Sequence, residues 1–189
     1  MIQKILRYAI QDYQIYIIDP ENEYTKIVEL LGGAVLHLSS NAKDKINPMQ
    51  IFSEETVSSD EAITNLDLLV KDKIQRLKGF FEVIKSDITQ EEKAVLDDVL
   101  RSAYINSGIM KYQKISEIQD DQWPTLTNVY DEMTKLKEKD QERYQIIKGL
   151  YLILGSYTHG SNTLFDGHTN VNLHNNIVSF DLKPLQSER

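Results

Sequence analysis

The chain has 189 residues, 41% hydrophobic and 26% charged, enough apolar material to bury a core and too much to remain disordered. Its 29 acidic and 21 basic residues leave a net charge of -8, which opposes general binding to phosphate backbones and disfavours a nucleic-acid module. Cysteine is absent, which excludes disulfides and thiolate metal sites and fits a reducing compartment such as the cytoplasm, and no apolar run approaches the roughly 20 residues of a membrane span.

Ile2, Ile5, Leu6 and Ala9 recur at helical spacing, so the chain opens on a helix; Gln11 and Asp12 stand where a signal peptide would keep its apolar centre. Gln14-Ile15-Tyr16-Ile17-Ile18 is a β-branched and aromatic run stopped by Asp19-Pro20, and reads as a buried strand. Tyr24, Ile27, Val28, Leu30 and Leu31 give a short helix closed by Gly32-Gly33, where one glycine can take the left-handed conformation. Ala34 to Leu38 follows as a second strand. Strand, helix and strand make a βαβ unit, the start of an α/β sheet.

After Ile46-Asn47-Pro48 the pattern becomes helical. From Asp60 to Ser86, Ile63, Leu66, Leu69, Val70, Ile74, Leu77, Phe80, Phe81 and Ile84 form one amphipathic stripe. Thr89-Gln90-Glu91-Glu92 has the form of a capping box and opens a helix that carries Val95 to Ala103 and stops at Gly108. Pro124 suits the first turn of a further helix with Leu126, Val129, Tyr130, Met133 and Leu136, and a last helix runs from about Asp140 to Leu154. Gly155 to Asn162 is turn-rich. Asn176 to Leu182 alternates as a strand and has no partner among the helices, so it is expected to return to the sheet begun by the first fifty residues.

Familiar chemistry is mostly missing. Gly155-Ser-Tyr-Thr-His-Gly160 copies the glycine spacing of a phosphate-binding loop but is followed by Ser161-Asn162 and no lysine, so it reads as an ordinary loop. Asp97-Asp98 sits behind the capping box and reads as a solvated helix face. His159, His168 and His174 share a polar tail with Asp166, but their spacing matches no tight zinc pattern, and His37 reads as a packed or hydrogen-bonded strand residue. No Gly-x-Ser-x-Gly elbow occurs.

One cluster stands out: Asp19-Pro20-Glu21-Asn22-Glu23-Tyr24, just past the carboxyl end of a strand, where open α/β sheets place ligands. Its carboxylates could orient water, meet a magnesium-bound phosphate through the metal, or contact a neighbouring subunit. Equally, Asp19 and Glu21 could cap the next helix.

Ile17-Ile18-Asp19-Pro20-Glu21-Asn22-Glu23-Tyr24, Leu31-Gly32-Gly33, Leu38-Ser39 and Ile46-Asn47-Pro48 together resemble the segment after the Walker A helix in the large conjugation ATPases of type IV secretion systems, the TraC- and TraE-like and VirB-type proteins. Leu164-Phe165-Asp166-Gly167-His168-Thr169-Asn170 and Ile177-Val178-Ser179-Phe180-Asp181-Leu182 are similar to that family's return to the ATPase core. The resemblance implies an α/β fold: part of a RecA-like P-loop core at residues 1–54 and 155–189, with an all-α subdomain at 55–154 that makes the whole predominantly helical. It implies a motor powering DNA or protein transfer at the cytoplasmic face of the membrane, hexameric, working with other secretion-channel components, and using ATP and magnesium in the intact protein. The family's Walker A and Walker B residues are expected before residue 1 and beyond Arg189. The chain alone is therefore expected not to hydrolyse ATP, no cofactor-binding or metal residue is assigned in it, and only Asp19, Glu21 and Glu23 stand as catalytic candidates for the intact protein. The rival expectations are a non-catalytic helical interaction module of a secretion apparatus and, more remotely, a metal-dependent hydrolase using the three histidines of the tail.

Overall fold

The computed structural model describes residues 1–39, 43–52 and 65–186. Among the described residues, a three-stranded parallel sheet with small helices is built from both ends of the chain, and four long helices lie between them in sequence. The chain enters through α1 (Ile2–Ala9), β1 (Ile15–Asp19), α2 (Thr25–Leu30) and β2 (Ala34–His37). It then runs through α3 (Leu66–Ile84), α4 (Gln90–Asn106), α5 (Leu126–Lys139) and α6 (Gln141–Thr158). It returns as β3 (Ile177–Asp181) and ends on the short α7 (Lys183–Gln186).

The returning strand does join the first sheet, but it lies between the other two. The order is β1-β3-β2, with Ile15 opposite Ile177 and Ala34 opposite Val178, both pairings parallel. The strands of the βαβ unit are thus not neighbours. The apolar run of β3 explains the central place: Ile177, Val178 and Ser179 are all buried, as both faces of a central parallel strand must be. β1, expected to be buried, is an edge strand with Tyr16 57% and Ile18 71% exposed. α2 packs on β2 and β3 through Val28, while α1 lies against β1.

The four long helices share one core, in which Phe81, Leu96, Leu100, Leu126, Ile147 and Leu150 are fully or almost fully buried. α4 is its hub, touching α3, α5 and α6. The capping box at Thr89 is present: Glu92 N donates to Thr89 Oγ1 (3.1 Å), and Glu92 accepts from Thr89 N (2.8 Å). Glu92 is itself buried and also meets Lys85 (3.2 Å), so one carboxylate both caps α4 and pairs with the end of α3.

Three expectations shift. Pro124 precedes the helix, whose N-cap is Thr125, because Thr125 and Asn128 form a reciprocal cap one residue later. α6 continues through Gly155 to Thr158, since its periodic residues carry the helix past the glycine. α3 opens at Leu66 with Asn65 capping Asp67 N (3.0 Å), while the expected start at Asp60, Ile63 and the 54/55 boundary lie outside the described residues.

Candidate functional site

The three strands end level with one another. Asp19, Asp181 and His37 occupy one register row at the carboxyl edge of the sheet, the edge at which α/β folds gather ligands. Residues paired across a parallel sheet project to the same side, so these side chains share a face. Sequence reasoning singled out Asp19 but not Asp181, and left His37 as a strand residue. No local pattern marks the other two, because they meet across 144 positions of the chain.

Asp19 is 1% exposed. Its Oδ1 accepts from Glu23 N (3.0 Å) and its Oδ2 from Tyr24 N (2.9 Å), so it holds the amides that lead into α2. Asp19 thus stands at the strand end and orders the turn before α2, but it does not cap the helix, whose N-cap residue is Tyr24 and whose first-turn amides it does not reach. Pro20 ends the strand, having no N–H to give a ladder. Asn22 follows in the left-handed region (φ 59°), which asparagine tolerates better than most residues. Glu21 and Glu23 are exposed, and their carboxylates make no hydrogen bond or ion pair among the described residues. Glu21 does not cap the helix.

Asp181 is also 1% exposed and is surrounded by donors. Its Oδ2 accepts from Asn22 Nδ2 (2.6 Å) and lies 2.9 Å from His37 Nδ1, while Oδ1 accepts from Lys183 N (3.0 Å). His37 is in turn held by its backbone N–H, which donates to Asp44 Oδ2 (2.9 Å). Ser179, two residues before Asp181 on the same face of β3, is fully buried and its hydroxyl has no partner among the described residues.

The other resemblance residues form a polar joint between sheet and helices. Lys45 Nζ donates to Thr163 O (2.6 Å) and Oγ1 (2.9 Å), Lys45 N to Asn170 Oδ1 (2.7 Å), and Asn170 Nδ2 to Lys43 O (2.8 Å). The backbone N–H of Asn47 donates to Thr169 Oγ1 (3.0 Å), and its side-chain Nδ2 donates to Pro124 O (2.9 Å). Asp166 accepts from Thr127 N (2.8 Å) and Thr127 Oγ1 (2.7 Å), capping the first turn of α5 from outside. Gly167 takes φ 126°, out of reach of ordinary side chains, where the chain turns over Lys45. The motif spellings Asn47-Pro48 and Asp166-Gly167 are thus structural.

The remaining candidates disperse. Asp97 pairs with Lys78 and Asp98 with Arg143, which makes them helix-to-helix ion pairs. His159 bonds to Thr158 (2.8 Å) and rests on Tyr130, and His174 lies against Phe52. Among the described residues no group of three His, Cys, Asp or Glu is placed to hold a metal ion. Gly155 to Thr158 are the last turn of α6, not a phosphate loop.

No phosphate cradle is formed by these residues. The edge row is acidic, and the backbone amides facing Asp19 and Asp181 are already used. Asp19 and Asp181 themselves, being acidic and already holding amides, offer a nucleotide's phosphates no direct partner.

No family model matches the chain, and no curated protein matches it. A solved structure does: VirB4 of Thermoanaerobacter pseudethanolicus, with a TM-score of 0.77 and 28% identity. The match takes in 100% of this chain and 47% of that one, so the chain spans about half the length of its relative. The likeness to a VirB4-type protein thus extends over the whole chain, in agreement with the resemblance carried by its two motif sets. Among the described residues no helix is long and apolar enough to cross a membrane.

Proposed function

We propose that the chain is a working segment of an ATP-driven motor of a type IV secretion or conjugation apparatus, in which its sheet belongs to a RecA-like core. The observation that carries this reading is the likeness of the whole of this chain to about half of VirB4, together with a parallel sheet whose edge row ends in Asp19, Asp181 and His37. In this reading residues 1–54 and 155–189 are core and 55–154 an inserted helical subdomain. The exposed face of β1 supports the same view, since Tyr16 and Ile18 leave apolar surface that a larger core would cover.

Within that motor the phosphates and their magnesium are held by residues outside this chain. What the chain contributes is Glu21 and Glu23, two exposed carboxylates on a loop pinned at both ends. Asp19 holds that loop's helix-side amides and does not itself face outward. The motor works at the cytoplasmic face of the membrane as a ring of identical subunits beside other channel components.

The test is Glu21→Gln and Glu23→Gln in the full-length motor. Each substitution removes a charge while keeping size, so the fold should be unaffected. A lost catalytic contact lowers ATP turnover about tenfold or more, at about 1.4 kcal/mol per decade. Wild-type turnover in both variants refutes the assignment.

A further inference from the structure

We propose that Asp181 is the positioning residue of the Pro20–Tyr24 loop, setting the directions in which Glu21 and Glu23 project. This rests on the reading of those two glutamates as motor carboxylates.

The loop has two anchors of different kinds. Asp19 holds the amides of Glu23 and Tyr24, which fixes the entry into α2 but leaves residues 20–22 to be fixed by something else. That is supplied by Asn22, whose side-chain amide reaches the buried Asp181 carboxylate at 2.6 Å, across 159 positions. Asn22 stands between Glu21 and Glu23, so its tether decides how both leave the loop. A lesser contact, Gln186 Nε2 to Pro20 O (3.2 Å), comes from the helix just after Asp181.

The same Asp181 oxygen also serves His37 at the end of β2. An ionised carboxylate only accepts, so Nδ1 of His37 carries a proton and Nε2 is left toward solvent on a side chain that is 54% exposed. One carboxylate on the central strand therefore ties the loop after β1 to the end of β2. Three donors on two oxygens leave it well compensated despite its burial.

Two substitutions separate tether from fold. Asn22→Gly allows the left-handed backbone, which glycine adopts freely, and removes the side-chain bond to Asp181. Asp181→Asn keeps shape and the Lys183 contact, but its NH2 can satisfy its neighbours only if Asn22 turns its amide and His37 moves its proton to Nε2.

In nitrogen-15 NMR of this chain, Asp181→Asn should move the His37 ring signals from the Nδ1–H to the Nε2–H pattern. Asn22→Gly should leave those signals in place while Glu21 and Glu23 amides gain fast motion. In the full-length motor, Asn22→Gly should lower kcat about tenfold with KM for ATP and melting temperature little changed. If Glu21→Gln or Glu23→Gln lowers turnover while Asn22→Gly retains wild-type kcat, the positioning role is overturned and the motor reading stands. If neither glutamate variant lowers turnover, the assignment of Glu21 and Glu23 fails. The loop signals then decide the positioning role: amides in Asn22→Gly as rigid as in wild type overturn it.

Discussion

Substituting alanine for glycine at positions 33, 32 and 79 should give three different results from one added methyl. At Gly33 a Cβ would lie 2.7 Å from the carbonyl oxygen of Ile177, 2.7 Å from Val28 Cγ1 and 3.0 Å from Ile177 Cβ. Neither neighbour can retreat cheaply: Ile177 opens the central strand, and Val28 is the fully buried residue of α2. Gly33→Ala is therefore an overpacking change worth about 1–3 kcal/mol, and the rigid partners put it toward the upper end. At Gly32 nothing lies within 4 Å, but φ is 73°, so alanine there costs only the left-handed conformation, about 1 kcal/mol. Gly79 is mid-helix in α3 with open space around it, and alanine there should stabilise by about 0.5–1 kcal/mol. At about 2–4 °C per kcal/mol for a chain of this size, thermal melts followed by circular dichroism resolve all three. Equal melting of Gly33→Ala and wild type, or a greater loss at Gly32 than at Gly33, would refute the close approach of α2 to β3.

Purified by itself, the chain should release no phosphate from ATP above a no-protein control, because it brings no lysine and no metal-binding pair to a phosphate. Asp166→Ala should destabilise by about 1–2 kcal/mol by leaving the Thr127 amide of α5 uncapped, with Asp166→Asn costing less; urea unfolding measures both. The stacked pair Tyr130 and Tyr151, hydroxyls 2.8 Å apart, should ionise in two steps. The hydrogen bond to Tyr151, aided by burial, pushes Tyr130 up to about 12, while the bond from Tyr130 lowers Tyr151. Tyr151 adds stability as pH rises through its lowered value. Tyr130 then removes stability between its ordinary value of about 10 and about 12, where the unfolded chain has released the proton and the native one has not. Absorbance titration should lose the early step in Tyr130→Phe; an unchanged curve refutes the coupling.

The helices were legible because their signal is local. The stripe from Leu66 to Ile84 and the Thr89 capping box each declare themselves within a few turns, and α6 was misjudged only at its end, where Gly155 looked like a stop. Strand positions were legible for the same reason, but their order was not. Nothing in residues 15–37 says that a strand from position 177 will separate β1 from β2. The same ignorance made β1 look buried, since Ile15 to Ile18 reads alike at the centre or the edge of a sheet. At the site, Asp19 was visible through its place before Pro20, but the carboxylate holds the turn before α2 and does not cap the helix itself. Asp181 and the tie through Asn22 depend on a contact between distant positions, which local pattern does not encode.

The joint between residues 43–47 and 163–170 has a topological consequence. Lys45 reaches Thr163 across 118 positions, so the chain leaves and re-enters the neighbourhood of the sheet at almost the same point. A segment whose two ends meet can grow or shrink without disturbing what lies below the meeting point, and each doubling of its length adds only about 0.6 kcal/mol of closure entropy. A change in the length of the helical segment would therefore add little to the entropy of closing it. The lysine with its asparagine and threonine partners is the seam that closes it.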